Sequence, residues 1–159
     1  LHGGGADLIF PHHECEAAQS EAATGSVFVR HWMHQAMVRM DGEKMSKSLG
    51  NLVFVSDLLE DWEPDVVRLA VVSHHYRDSW EWHDELVPTA ARRLAAWRDA
   101  AARPGVTDSA RALAEVGAAL DDDLDTPAAV AALDAAAARG EGTTAAAALL
   151  GVTVPAAHR

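Results

Sequence analysis

The segment DGEKMSKSLGN, residues 41–51, sets Lys44 and Lys47 on either side of Met45 and Ser46, with Ser48, Leu49, Gly50 and Asn51 following. Two ammonium groups, two hydroxyls and open backbone N–H groups on a mobile loop suit a polyphosphate whose charge grows during displacement. Closure of such a loop puts charge where the transition state needs it. By composition alone the same stretch is a solvated surface turn, so the order of the residues carries the chemical reading. A second cluster is PHHECE, residues 11–16. If Pro11 opens a helix, His12 and Glu16 share one face at i and i+4 and can offer an imidazole and a carboxylate to one metal ion. Cys15 competes, because i and i+3 also share a face. Two ligands do not close a tetrahedral zinc site, so the rest must come from another segment, a bound substrate or water. A helix start with polar residues at its positive end is the alternative. In a third stretch, GGGAD at residues 3–7, a turn can bring bare backbone close to a ligand, with Asp7 free for a ribose hydroxyl. Taken alone, three glycines describe a flexible connection equally well.

The elements that position these groups fall into three regions. Residues 1–56 alternate short apolar runs (DLIF, VFV, AMVRM, LVFV) with Gly, His and Lys clusters, a pattern of strands and short helices with functional turns between them. Residues 57–103 read as helical, with Pro64 near a helix start. Residues 104–159 are rich in Ala with Leu and Asp, which predicts two or three helices punctuated at Thr126-Pro127 and Gly140-Glu141-Gly142. Between the first helices lies SHHYRDSWEW, residues 73–82; its His74, His75, Trp80 and Trp82 are expected to pack rather than to bind a ligand. The carboxylates of Asp121, Asp122, Asp123 and Asp125 lack the alternating ligands and closing Glu of a calcium loop, so helix capping before Pro127 is expected.

Composition bounds the setting. The chain has 159 residues, 49% of them hydrophobic, enough for one domain or a domain with an appendage. No apolar run approaches the roughly 20 residues of a membrane span, and no stretch resembles a signal peptide, so a cytoplasmic protein without membrane contact is expected. Thirteen basic against 24 acidic residues give a net charge of −11, which argues against generic binding to phosphate backbones and leaves room for a local basic site. The single Cys15 excludes an internal disulfide framework. The opening LHGGGADLIF reads as the middle of a fold, and the chain is expected to be the C-terminal part of a longer enzyme.

KMSKS, Lys44–Ser48, resembles the signature loop of class I aminoacyl-tRNA synthetases. GGGADLIFPHHECEAAQSEAATG (residues 3–25), WMH (32–34) and DGEKMSKSLGN, in that order, resemble the second half of the cysteinyl-tRNA synthetase catalytic domain over residues 1 to about 82. The same family includes the ligase that joins cysteine to glucosaminyl-inositol in mycothiol biosynthesis. NLVFVSDL (51–58), SHHYRDSWEW (73–82), LAAWRDAAARP (94–104) and DDDLDTPAAVAALD (121–134) are more similar to that ligase, as is an ending soon after ALLGV at 148–152. Glu16, QSEAATG and WMH are more similar to the synthetase.

The resemblance implies an α/β fold: the second half of a Rossmann-like class I catalytic domain followed by a small α-helical bundle. It implies an ATP-dependent ligase that forms cysteinyl adenylate, with Mg²⁺ accompanying ATP, and passes cysteine to the amine of glucosaminyl-inositol. The alternatives are transfer to the terminal ribose of tRNA(Cys), or an inactive zinc- or nucleotide-binding remnant. His12 and Glu16 are implied as zinc ligands, joined by cysteines from segments preceding Leu1 and by the substrate thiolate. Zinc binds a thiolate far better than a hydroxyl, which separates cysteine from serine. Gly3, Gly4, Gly5, Asp7, His13 and Val38 are implied to border the nucleotide, and Trp32 and His34 the substrate pocket. Lys44, Ser46, Lys47 and Ser48 are implied to act on the departing pyrophosphate. The HIGH-type motif and the zinc cysteines of the family's N-terminal half do not occur in these residues, so the chain alone is expected to be catalytically incomplete.

Overall fold

Three consecutive glycines, read above as a turn, are extended instead. The computed structural model describes residues 1–156 and places His2–Gly5 in strand β1. β1 pairs in parallel with β2 (Trp32–Gln35), in register from His2 opposite Trp32 to Gly5 opposite Gln35. A parallel pair needs a crossover connection. Here it consists of a tight turn at Ala6–Leu8, an irregular turn at Ile9–His13 with Phe10 extended, and helix α1 (Glu14–Thr24). The glycines serve close packing. A Cβ on Gly4 would stand 2.9 Å from His13 Cε1, and one on Gly5 would stand 2.5 Å from both Met37 Cε and Asp7 Oδ1. β3 (Val38–Met40) runs between β4 (Glu43–Lys44), antiparallel, and β5 (Trp80–Glu81), parallel. Asp41 and Gly42 have φ of 55° and 78°, the left-handed pair of a tight two-residue hairpin. These elements form one unit, Leu1–Asn51 with Tyr76–Trp82.

The second unit, Leu52–His75 and the chain from His83 onward, is helical. It contains α2 (Val55–Asp61), α3 (Pro64–Val72), α4 (Leu86–Ala101), α5 (Ala110–Asp121), α6 (Thr126–Ala138) and α7 (Thr144–Ala148). Its helix starts follow local rules. Pro64 occupies the first turn of α3, where its missing N–H costs nothing. Ser109 caps α5 by accepting from Ala112 N–H at 3.1 Å, and Asp125 caps α6 by accepting from Ala128 N–H at 2.9 Å. The aspartate run thus ends in a cap before Pro127, as expected.

Leu69, Leu94, Trp97, Val116 and Leu133 form the centre of this unit, and Ala100, Ala112, Ala129 and Ala136 are fully buried between them. Small side chains let the helix backbones approach closely, and the few large ones supply most of the apolar area. The Trp97 indole N–H donates to Asp134 Oδ1 at 2.8 Å, while Arg93 donates to Asp134 Oδ2 at 2.9 Å and to Ser73 Oγ at 3.1 Å. α3, α4 and α6 are joined there by satisfied polar groups. Residues of SHHYRDSWEW divide between the two units. Trp80 lies in β5, Trp82 N–H donates to Arg39 O at 2.7 Å, and half-buried His74 sits with Nδ1 3.2 Å from Ala70 O. No helix among the described residues is long and apolar enough to cross a membrane.

Two stability outcomes follow. Leu133→Ala is expected to cost about 2–5 kcal/mol in urea unfolding, the range for emptying a buried leucine site. Glu141 accepts from Arg139 Nε at 2.5 Å and from Ser109 Oγ at 2.6 Å, and these partners hold its carboxyl at about 2 against an ordinary 4.5. A depressed folded pKa contributes stability that is full above the unfolded value and is lost as pH falls through the folded one. The difference in thermal midpoint between wild type and Glu141→Gln is therefore expected to be largest at pH 6, to shrink below pH 4.5 and to vanish near pH 2. A difference that persists unchanged at pH 2 would contradict the assignment.

Candidate active site

The parallel register of β1 and β2 sets Gly4 opposite His34. Above the bare Gly4 backbone lies the imidazole of His13, which is 4% exposed and carried there by the turn that leads into α1. His13 Nδ1 is 2.8 Å from His34 Nε2, so one ring holds the shared proton and the other accepts it. His2 meets the His13 ring edge-on at 4.7 Å, and Trp32 stacks on His34 with centroids 6.0 Å apart and planes 8° from parallel. Burial, and then the charge on His2 and His34, push the His13 pKa below 6.5, which favours its neutral form.

Glu16, on the first turn of α1, faces the same cluster. Its Oε1 is 3.3 Å from His12 Nε2 and its Oε2 is 3.3 Å from His2 Nε2. The latter pair is close enough for attraction but misdirected, and Oε2 is buried without a hydrogen bond. A carboxylate oxygen in that state lacks a cation or a donor. One ligand atom each from His2, His13 and Glu16 falls within 4.8 Å of the others. Two imidazoles and a carboxylate are a donor set that zinc accepts, so these residues fit such an ion. Glu16 belongs to this group as the sequence suggested. His12 is exposed at its edge, where it meets the Glu16 carboxylate and lies 5.5 Å from the His13 ring, centroid to centroid, and exposed Cys15 is outside the group. His2 was not singled out by sequence reasoning. Nothing local marks it, because it meets His13 and Glu16 only through strand pairing and the crossover.

A cavity of about 200 Å³ opens beside the cluster, lined by Ile9, His13, Glu14, Ala17, Trp32 and His34. That volume is below the roughly 300–1,000 Å³ usual for drug-sized ligands and matches a small side chain better than a nucleotide. It brings three of the expected residues, His13, Trp32 and His34, to one wall.

The lysine loop starts in β4. Lys44 Nζ donates to Asp7 Oδ2 at 2.5 Å, and this ammonium holds the Asp7 carboxyl below its usual range. Two residues expected at the nucleotide thus hold each other. Val38, half-buried in β3, accepts Met45 N–H at 3.2 Å through its carbonyl. Ser46 and Ser48 hydroxyls are 3.1 Å apart. Lys47 is exposed and makes no ion pair with any described residue. Gly3, Gly4 and Gly5 lie along β1, next to Asp7 and His13.

Comparison with known proteins gives a family. The profile described as the tRNA synthetases class I (C) catalytic domain matches residues 1–92. A protein of Nocardiopsis dassonvillei named L-cysteine:1D-myo-inositol 2-amino-2-deoxy-alpha-D-glucopyranoside ligase is 52% identical over 159 residues, covering 97% of this chain and 39% of that protein. The protein of the same name from Thermobifida fusca is 56% identical over 136 residues, covering 84% of this chain and 33% of its own length. The chain thus spans about two-fifths or less of these curated relatives. Among solved structures, a LeuRS–tRNA–LeuAMS ternary complex from Agrobacterium radiobacter K84 matches with a TM-score of 0.59 at 20% identity, covering 93% of this chain and 23% of that one, a likeness of fold alone. With the catalytic-domain profile matching residues 1–92, more than half of its length, and with ligases of that class among its relatives, the chain belongs to the class I cysteinyl-tRNA synthetase and mycothiol cysteine ligase family.

Proposed function

We propose that this chain is the part of an ATP-dependent cysteine ligase that carries the lysine loop and one side of the cysteine pocket, and that the acceptor is the amine of glucosaminyl-inositol. The observation that carries the reading is identity of 52% over 97% of the chain to a ligase named for that reaction. The cysteine carboxylate attacks the α-phosphorus of ATP, the bond to the β-phosphate oxygen breaks, and pyrophosphate leaves with Mg²⁺. The acceptor amine then attacks the adenylate carbonyl, loses a proton and displaces AMP.

Lys47, which forms no ion pair with any described residue, meets the charge that grows on the leaving pyrophosphate, and the Ser46 and Ser48 hydroxyls donate to its oxygens. Lys44 exchanges Asp7 for phosphate. The released Asp7 carboxylate accepts from the ribose, beside the side-chain-free edge at Gly3, Gly4 and Gly5 and the Val38 strand. Trp32 and His34 wall the small pocket, and neutral His13 keeps its proton shared with His34. Glu16, with His2, His13 or His12, would hold zinc. When bound, that ion supplies a soft Lewis acid that distinguishes a thiol from a hydroxyl. A net charge of −11 and the acidic run at Asp121–Asp125 weigh against a nucleic-acid acceptor.

The polypeptide expressed from its natural start, given zinc, ATP and cysteine, is offered glucosaminyl-inositol and tRNA in parallel. Cysteine joined to the sugar amine is the expected product. Cysteinyl-tRNA alone would replace the acceptor, and neither product would favour a binding remnant. Lys47→Ala is expected to lower cysteine-dependent ATP–pyrophosphate exchange by about 100- to 1,000-fold, the loss typical of one donor to a developing charge. Glu16→Gln should weaken zinc binding at least about 10-fold by titration calorimetry.

The pH behaviour of His13 supplies a separate check. Because its folded pKa lies below 6.5, its contribution to stability is complete above that pH and is lost as pH falls through the folded value. An NMR titration of its ring should have a midpoint below 6.5. A midpoint at or above that value would mean that the ring is not held neutral by burial.

A further inference from the structure

β4 ends at Lys44, and the chain that continues through Met45 and Ser46 keeps hydrogen-bond partners on both sides. On one edge, β3 holds them: Lys44 pairs with Arg39, and Met45 N–H donates to Val38 O at 3.2 Å. In an extended chain the C=O of one residue and the N–H of the second residue after it point to the same side. On the other edge those two groups, Lys44 C=O and Ser46 N–H, meet one side chain. Asn51 Oδ1 accepts from Ser46 N–H at 2.9 Å, and Asn51 Nδ2 donates to Lys44 O at 3.4 Å. The primary amide therefore plays the part of a neighbouring strand's peptide group, offering one acceptor and one donor at strand spacing. Between the two ends of this clasp the chain makes a turn in which Gly50 N–H donates to Lys47 O at 3.2 Å. Lys47 and Ser48 are its first two residues.

We infer that Asn51 is a positioning residue for the lysine loop: its side-chain amide sets the conformation in which Lys47 and Ser48 meet the leaving pyrophosphate. The inference rests on the reading of residues 44–48 as the ATP loop. It goes further by assigning a role to a residue that touches neither substrate. Asparagine is suited to the position because aspartate keeps the acceptor for Ser46 N–H but sets a second oxygen against the Lys44 carbonyl, whereas alanine removes both contacts.

The test uses the full polypeptide carrying Asn51→Ala, Asn51→Asp or Lys47→Ala, and combines kinetics with amide hydrogen exchange. Asn51→Ala should lose exchange protection at Ser46 and lower kcat for ATP–pyrophosphate exchange by about 100-fold, the scale for misplacing a catalytic group by about 1 Å. The KM for cysteine and the thermal midpoint should stay at wild-type values. Asn51→Asp should keep Ser46 protected yet lose kcat.

Ser46 protection unchanged in Asn51→Ala overturns the clasp. A fall in activity matched by a fall in thermal midpoint overturns the positioning role in favour of a structural one. Lys47→Ala impaired while Asn51→Ala works at the wild-type rate overturns only the role of Asn51. Lys47→Ala at the wild-type rate overturns the loop reading on which the inference stands.

Discussion

A missing Cβ at Gly4 is the constraint on which the first unit depends. His13 Cε1 comes so near the strand backbone that a methyl group at residue 4 would stand 2.9 Å from it. With glycine there, the imidazole sits close over β1, reaches His34 on the neighbouring strand and meets His2 on its own side. Glycine inside a strand weakens it by roughly 0.5–1 kcal/mol relative to alanine, and the parallel partner β2 restores the backbone hydrogen bonds. Once β1 and β2 are paired, the crossover through α1 has little freedom, and Glu16 arrives with one carboxylate oxygen buried and unbonded beside the imidazoles. One steric condition thus brings histidines from three segments and a carboxylate into a single cluster.

The lysine loop is held by two contacts of different character. Lys44 and Asp7 form an exposed ion pair, and such pairs contribute little and exchange readily for another charge. Under the function proposed above, a polyphosphate at Lys44 would compete with Asp7 for the ammonium and free its carboxylate. The Asn51 amide is neutral and among the described residues bonds backbone, so an incoming anion would have no charge there to displace. A loop that changes its ionic partners while keeping its shape would suit the role proposed for Lys47, whose ammonium must be in place before charge develops on the leaving group.

In the second unit alanine is abundant, and the identity of the few large residues decides the packing. Trp97, Leu69, Leu94 and Leu133 fill the space that alanines leave, and Asp134 accepts from both the Trp97 indole and the Arg93 guanidinium. A half-exposed carboxylate with two donors on another helix fixes the rotation of α6 against α4 more tightly than apolar contact alone, since alanine faces have little shape to interlock.

The sequence by itself determined what depends on neighbours along the chain or on the order of words. Pro64 and Asp125 announced their helix starts because capping acts within three or four residues. His12 and Glu16 meet as their i, i+4 spacing suggested, although His12 lies in the turn that leads into α1 rather than in the helix itself. The family was legible because KMSKS, PHHECE and GGGAD occur in a fixed order that chance does not assemble. The tertiary structure decided the rest. Glycines 3–5 became a strand, because only pairing with residues 32–35 satisfies their backbone in that form. His2 joined His13 and Glu16, Lys44 found Asp7 across 37 positions, and His34 found His13 across 21. Such contacts have no sequence period, since they exist only once strands are in register and a crossover has folded back over them.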